Sequence, residues 1–385
     1  MTVSNEICNA ADGMAGCWTG GRRRVSLTPG EQLQIIMLDK LPVVRARAPL
    51  RLGLAGGGTD LSPYCDQFGG AVLNCTISRY AHAFISPATN GRVAFVATDI
   101  DVSESFDCHM PQIATARLGI HAGVYARIMR DFNGGVPLPI VVTSYVDAPP
   151  GSGLGSSSAL VVALVEAFRT LLALPLGPYD VAHLAYEIER IDLHLAGGKQ
   201  DQYAAAFGGA NFIEFLAGDR VIVNPLRVPE AFMNELETSL VTCFTGVSRR
   251  SEQIIEEQQR RMGGEASEAM DSLHQLKQDA IDMKQALLRG RIPAMAEILN
   301  RSWQAKKRTA SGVSSALIET LFEVAMKNGA IAGKISGAGG GGFMMLLVPP
   351  ERRLGLISAL NGAGGTAGPV HFTTRGAEGW TVVGD

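Results

Sequence analysis

The residues with the clearest chemical potential lie in Asp147–Leu174, DAPPGSGLGSSSALVVALVEAFRTLLAL. A glycine–serine loop, Gly151–Ser158, runs directly into about sixteen mostly apolar residues that contain no Gly or Pro. That run is too long for a strand and predicts a buried helix. Glycines let the backbone approach a ligand closely, and the free N–H groups and dipole of a helix start favour an anion there. Ser156, Ser157 and Ser158 add hydroxyls that can cap the helix or reach a metal on a bound phosphate. The chemistry expected of this stretch is therefore phosphate binding.

Two further clusters carry candidate groups. In Arg51-Leu-Gly-Leu-Ala-Gly-Gly-Gly-Thr-Asp60, Gly56, Gly57 and Gly58 can bring backbone close to a polar ligand. Asp60 can accept hydrogen bonds from sugar hydroxyls, although a turn aspartate in an ordinary surface loop would look the same. Glu187 and Glu189 lie in a stretch with helical periodicity, and either could ligate a metal; helical phase does not separate them. The familiar phosphate motifs do not account for these clusters. GxxxxGK[ST] is absent: the pairs Gly198–Lys199 and Gly333–Lys334 are followed by Gln and Ile. GxGxxG matches once, at Gly337, Gly339 and Gly342, but it leads into the strand-like FMMLLV and lacks the later ribose-binding acid.

These residues need elements to hold them. Leu138–Val146 is rich in Ile and Val and predicts a strand, ended by Pro149 and Pro150. From Pro42 on, short apolar runs alternate with glycine turns, which predicts strands and loops, with a further strand near Ala94–Thr98 and a helix near Ala122–Phe132. Val181, Leu184, Ala185, Ile188, Ile191 and Leu195 recur at helical spacing, predicting an amphipathic helix over Tyr179–Leu195 that stops at Gly197–Gly198. The character changes near Leu226. A strand is expected over Ser239–Gly246, then charged helices over 248–310 that read as solvated faces, a helix over Ser314–Lys327 and a strand over Phe343–Val348. The expected division is 42–225 and 226–385, behind a poorly ordered extension, 1–40, that carries Arg22–Arg24.

Composition bounds the class. The 385 residues are 46 % apolar and 18 % charged with a net charge of −3, which suits a soluble two-domain protein. Nothing in that balance calls for nucleic acid or an anionic membrane as partner, and Glu166 and Arg169 interrupt the best candidate for a membrane span. No signal peptide is evident at the N-terminus. Cysteines 8, 17, 65, 75, 108 and 243 show no metal-ligand spacing and are expected to be free thiols in a reducing cytoplasm. A homo-oligomer is left open.

Three motifs, in order, resemble those of the GHMP small-molecule kinases, the family of galactokinase, homoserine kinase, mevalonate kinase and phosphomevalonate kinase. The family's P-x-x-x-G-L-G-S-S-A stands here as Pro150-Gly151-Ser152-Gly153-Leu154-Gly155-Ser156-Ser157-Ser158-Ala159. Its A-P-x-R element, with the aspartate of a T-D pair nine residues on, stands as Ala48-Pro49-Leu50-Arg51 and Thr59-Asp60. Its C-terminal glycine-rich motif resembles Gly333-Lys334-Ile-Ser-Gly-Ala-Gly-Gly-Gly-Gly342.

The resemblance implies an α+β, two-domain fold, ribosomal protein S5 domain 2-like in the N-terminal half and ferredoxin-like in the C-terminal half. It implies an ATP-dependent sugar kinase whose triphosphate lies on Pro150–Ser158, with Mg²⁺ held by Ser157 and Glu189. Glu189 is singled out because galactokinases place a glutamate twelve residues before the catalytic aspartate of M-D-Q, and Lys199-Gln200-Asp201-Gln202 stands there. By the same resemblance Asp201 is the general base and Arg51 lies near the transferred phosphoryl. Gly56, Gly57, Gly58, Thr59 and Asp60 hold the sugar, and Gly339 and Gly340 close over it. Lys199 departs from the galactokinase pattern. It is grouped with the catalytic residues as added positive charge for the nucleophile or for a phosphate on the substrate, an exposed loop lysine being the alternative.

GGG in place of galactokinase's G-E-H argues against galactose. The segments together are most similar to the branch that phosphorylates the anomeric hydroxyl of D-glycero-D-manno-heptose 7-phosphate. Another sugar kinase of the family, of L-fucose or galactose type, is the alternative. A catalytically silent sugar sensor is disfavoured, because Arg51, Ser157, Glu189 and Asp201 are all present.

Overall fold

The computed structural model describes residues 41–88, 91–109, 115–247, 251–262 and 267–383. The N-terminal extension, with its arginine triplet and first two cysteines, lies outside the described residues. From residue 44 the alternating apolar runs become β1 (Val44–Ala55), the short α1 (Tyr64–Phe68), β2 (Gly70–Pro87), β3 (Arg92–Ala97) and β4 (Val102–Asp107). Then come α2 (Gly119–Phe132), β5 (Ile140–Val146), α3 (Ser156–Leu171), α4 (Pro178–Tyr186), α5 (Gln200–Phe207), β6 (Ala210–Leu216) and β7 (Arg220–Pro225).

β2 is 18 residues long and serves two neighbours along one edge. Its 70–75 half pairs with β6 and its 81–87 half with β5, while β1 runs along the other edge; all three pairings are antiparallel. β3 joins β5 in parallel and carries β4. Along β1, Val44, Ala46, Ala48, Leu50, Leu52 and Leu54 are all buried, the period of two that a covered strand face requires. α3 lies against β1 and β2, and Val161–Val165 and Phe168 are all buried. A helix apolar on every side needs such cover, and each fully buried Val or Leu contributes roughly 1.5–3 kcal/mol.

The second half opens with α6 (Glu230–Thr238) and β8 (Leu240–Phe244), followed by α7 (Ser251–Met262), α8 (Ser267–Leu288) and α9 (Ile292–Thr309). After these come α10 (Ala316–Lys327), β9 (Ala332–Ile335), β10 (Phe343–Leu347), α11 (Arg353–Gly362), β11 (Thr366–Pro369) and β12 (Glu378–Thr381). β11, β8, β10 and β9 make a four-stranded antiparallel sheet. β10 is apolar throughout because both its faces are covered. Met344 and Leu346 pack with Leu321 and Leu356 of α10 and α11, whereas Phe343, Met345 and Leu347 join the core that continues under the first sheet. β12 returns to pair with β1, so the described residues from Leu41 on form one compact α+β unit.

Two expectations need correction. The helix over 179–195 ends at Tyr186 and continues as a π-helical turn over Glu187–Asp192, after which His194 takes a left-handed conformation (φ 53°). The charged region over 248–310 is not solvated all round: α9 packs on α8 and β9 and buries Met295, Leu299, Ser302, Trp303 and Lys306. Among the described residues Cys65, Cys75, Cys108 and Cys243 are buried free thiols, and no helix is long and apolar enough to cross a membrane.

Candidate active site

One cleft of about 500 Å³ takes in the nucleotide-loop candidate, the β1 end and the C-terminal glycine motif. Pro150, Gly151, Gly153, Gly155 and Ser156–Ser158 line it. Ser152 and Leu154, expected among the ATP-binding residues, do not. Both are buried in the alternating sense of the loop, and their carbonyls accept from the backbone N–H of Phe343 (2.9 Å) and Arg51 (3.0 Å). Those bonds tie the loop to the two other motifs.

Arg51 leaves β1 and meets Asp201 in the first turn of α5. Its Nε and Nη2 both donate to Asp201 Oδ1, at 2.7 and 2.6 Å, and Nη1 donates to the Gly153 carbonyl at 2.6 Å. The guanidinium thus joins the carboxylate to the glycine loop, a charge-assisted arrangement that fixes both. Asp201 also sits directly over Gly155: a Cβ there would stand 3.1 Å from Asp201 Cγ, and Gly155 takes φ +76° as it enters α3. Glycine is required on both counts.

The π-helical turn decides between the two glutamates. Glu187 points to Arg127 (2.5 Å) and His183 (3.5 Å), away from the cleft. Glu189 is buried in the cleft wall, where its Oε1 accepts from Ser157 Oγ at 2.8 Å and its Oε2 from Gln202 Nε2 at 2.7 Å. Arg190 Nη1 lies 3.2 Å from Oε1. Such turns carry one extra residue and occur often at functional positions. Among the described residues no three His, Cys, Asp or Glu side chains cluster as a metal cage. The Ser157–Glu189 pair supplies two hard oxygens beside the start of α3, the donor type that Mg²⁺ takes when phosphate and water complete its shell.

On the other side of Arg51, Gly57, Gly58 and Asp60 line the cleft. Asp60 is held by the N–H groups of Gly58 (3.1 Å) and Gln200 (3.2 Å) and by Gln200 Nε2 (3.2 Å). A Cβ on Gly198 would stand 1.9 Å from Asp60 Oδ2, so only glycine admits this approach. Gly56 and Thr59 lie beneath the lining: the Thr59 hydroxyl bridges Gly56 and Ala71 backbone and sets the turn. Gly339 and Gly340 are also off the cleft, where Gly340 N donates to Val313 O at 2.7 Å; Gly337 and Ala338 face it instead.

Lys199 is a further correction. Its ammonium turns away from the cleft to Asp219 (2.6 Å) and Asp66 (3.7 Å) and lies over the Tyr186 ring. Burial pulls its pKa down, but the hydrogen bond to Asp219 and neighbouring negative groups leave it above the ordinary lysine value. It is a structural cation that ties the start of α5 to the β6–β7 turn.

Two other lysines, not singled out from sequence, do line the cleft: Lys306 of α9 and Lys334 of β9. Lys306 Nζ donates to Gly57 O and Lys334 Nζ to Gly53 O, both at 2.9 Å. Burial pushes the Lys306 ammonium down to about 8, Asp60 opposing and Arg51 adding to the effect. Burial, then Lys306 and Arg51, push Lys334 down to about 7. A sequence signal existed for Lys306: it falls in phase with Met295, Leu299 and Ser302 on the buried stripe of its helix.

Residues 120–209 match the GHMP kinases N terminal domain and residues 283–365 the GHMP kinases C terminal domain. D-glycero-alpha-D-manno-heptose 7-phosphate kinase of Campylobacter jejuni is 44 % identical over 342 residues, covering 89 % of this chain and 100 % of that protein. The solved structure of a D-glycero-D-manno-heptose 1-phosphate kinase from Bacteriodes thetaiotaomicron superposes with a TM-score of 0.75 at 43 % identity, covering 89 % of this chain and 100 % of that one. Lactococcus lactis galactokinase complexed with galactose shares the fold, with a TM-score of 0.67 at 18 % identity, over 88 % of this chain and 95 % of that one. With both domain signatures in order and a full-length relative at this identity, the chain belongs to the GHMP kinase family and is an ATP-dependent phosphotransferase.

Proposed function

We propose that the protein transfers the γ-phosphoryl of ATP to the anomeric hydroxyl of D-glycero-D-manno-heptose 7-phosphate, giving the 1,7-bisphosphate. The substrate reading is supported by the full-length relative named for that activity. The mechanistic reading is carried by one observation, the Arg51–Asp201 pair bonded to the nucleotide loop at Gly153. In this reading residues 42–225 hold the nucleotide and the reacting groups and 226–385 complete the cleft. The enzyme acts in the cytoplasm and feeds GDP-heptose for surface polysaccharide.

Phosphoryl transfer to an alcohol needs positioning and charge neutralisation more than covalent help. Backbone N–H groups of the cleft-lining glycines of the loop and of Ser156–Ser158 at the start of α3 receive the triphosphate. Ser157 and Glu189 would hold Mg²⁺, which would neutralise charge on the phosphate oxygens. Asp201 takes the hydroxyl proton as the acceptor oxygen bonds to the γ-phosphorus and the bond to the β-phosphate oxygen breaks, releasing ADP. Its Oδ1 is committed to Arg51, so Oδ2 is the oxygen that receives the proton. Arg51 stabilises the charge on the phosphoryl oxygens at the moment of transfer.

The test is ADP release with Mg-ATP across heptose 7-phosphate, free heptose, L-fucose and galactose. Heptose 7-phosphate is expected to give the highest kcat/KM. A higher value for L-fucose or galactose would overturn the substrate and leave the kinase assignment in place.

A further inference from the structure

The cleft wall formed by α9 and β9 carries cationic groups that the transfer step does not use. Lys306 and Lys334 are 5 % and 8 % exposed, and each has one hydrogen bond, to a neutral glycine carbonyl. Neither has a carboxylate oxygen within 4.0 Å among the described residues. One turn before Lys306, on the same face of α9, Ser302 is 1 % exposed, lines the cleft, and its Oγ has no hydrogen-bond partner among the described residues.

The neighbouring charges do not satisfy this group. Arg51 is itself a cation, held on the Asp201 and Gly153 side of the cleft, and offers these lysines no counter-charge. Asp60 faces Lys306, but it already accepts three hydrogen bonds from Gly58 and Gln200. Asp279 acts on Lys334 from α8; its Oδ1 is taken by Arg301 and Gln275, and its buried Oδ2 makes no hydrogen bond to Lys334 or to any other described residue. Two buried ammonium groups and a buried hydroxyl therefore converge on a cavity with donors to spare. Burying charge without a counter-charge is costly, and a group with several acceptor oxygens and two negative charges would remove that cost. Lys306 reaches Gly57 O, so the site adjoins the Gly57, Gly58 and Asp60 lining that the proposed reaction assigns to the acceptor.

We propose that Ser302, Lys306 and Lys334 form a subsite for a phosphate monoester carried by the acceptor itself, so that the cleft selects a sugar already phosphorylated away from the reacting hydroxyl. This rests on the kinase reading of the same cleft. The two lysines grip the phosphate as point charges and the Ser302 hydroxyl donates to a third oxygen.

The measurement is the ratio of kcat/KM for a phosphorylated sugar to that for its unphosphorylated parent, in the wild type and in Lys306→Met, Lys334→Met and Ser302→Ala. The pairs are heptose 7-phosphate with heptose and hexose 6-phosphates with hexoses. The wild-type ratio should be at least about tenfold, the value of one charge-assisted contact. Each lysine variant should cut that ratio about tenfold or more, and Ser302→Ala about threefold. Equal losses on both sugars of a pair would overturn the proposal and assign the lysines to the transferred phosphoryl of ATP instead.

A readout that needs no lysine variant is thermal stabilisation of the wild type by the methyl glycoside of a phosphosugar, which has no anomeric hydroxyl to react. A larger Tm shift than with the unphosphorylated glycoside supports the subsite, and equal shifts overturn it. Turnover of a different phosphosugar, with the ratio still lost in the variants, would overturn the heptose reading alone. Turnover of heptose 7-phosphate with an unchanged ratio in all three variants would overturn the subsite alone.

Discussion

Gly155→Ala tests whether the nucleotide loop positions the proposed base. Residue 155 holds φ +76°, where a side chain costs about 1–2 kcal/mol. The new Cβ would stand 3.1 Å from Asp201 Cγ and 3.3 Å from Oδ2, tighter than ordinary contact, so the carboxylate must give by a few tenths of an ångström. It cannot do so freely, because Arg51 holds its other oxygen through two hydrogen bonds. Since a misplacement of about 1 Å at a reacting group can cost roughly a hundredfold, the smaller shift is expected to lower kcat about three- to tenfold. The backbone cost should lower Tm by only a few degrees, roughly in proportion to chain size. Asp201→Asn alone should lower kcat by about 10²–10⁴, the usual worth of a general base. Adding Gly155→Ala to Asp201→Asn should then cost less than about a further twofold, because the displaced group no longer takes a proton. Steady-state kcat for the four proteins closes this cycle. The same fractional loss from Gly155→Ala in both backgrounds would refute the idea that the glycine acts through Asp201.

Other perturbations separate the remaining roles. Glu189→Gln should raise the Mg²⁺ concentration for half-maximal rate by about tenfold, because a neutral amide is a poorer ligand for a hard cation; an unchanged titration would remove Glu189 from the metal. Lys199→Met should lower Tm by a few degrees, through loss of the ion pair with Asp219, and leave kcat within about twofold; a collapse of kcat would return Lys199 to the reaction. Because burial and, for Lys334, the positive charge of Lys306 depress both folded-state pKa values, to about 8 for Lys306 and about 7 for Lys334, the free protein sheds these protons as pH rises through that window, with Asp60 and Asp279 opposing and Arg51 adding. A bound dianion restores them, so binding a phosphosugar at pH 8 should take up protons, and its KM should climb above that pH. Titration calorimetry in two buffers of different ionisation enthalpy measures the uptake, and none would contradict the pairing.

Local pattern made much of this protein legible. Pro149 and Pro150 end β5, the absence of Gly and Pro over 159–171 makes α3, and the glycine–serine loop between them stands on the cleft. The spacing of Arg51, Glu189 and Asp201 was readable through the family pattern, and the three do meet one cavity. What was not legible depends on tertiary burial. Glu189 and Glu187 are separated by a π-helical turn, which no 3.6-residue periodicity encodes. Lys199 and Lys334 each follow a glycine, and only packing shows which of the two faces the cleft. Gly339 and Gly340 followed the motif, but their glycines serve a close approach to Val313 and not the ligand. Ser302 and Lys306 fall in a run of charged residues, where only their phase with Met295 and Leu299 marks the face that turns Lys306 inward while Arg308 stays exposed.

In the proposed reaction this cleft phosphorylates the anomeric hydroxyl of an already phosphorylated heptose. Phosphorus NMR of the product from heptose 7-phosphate and Mg-ATP tests it most directly. The expected product shows a new phosphate signal coupled to the anomeric proton, the original 7-phosphate signal retained, and one ADP per new signal. A product phosphorylated at another hydroxyl, or ADP formed with no new sugar phosphate, would contradict it.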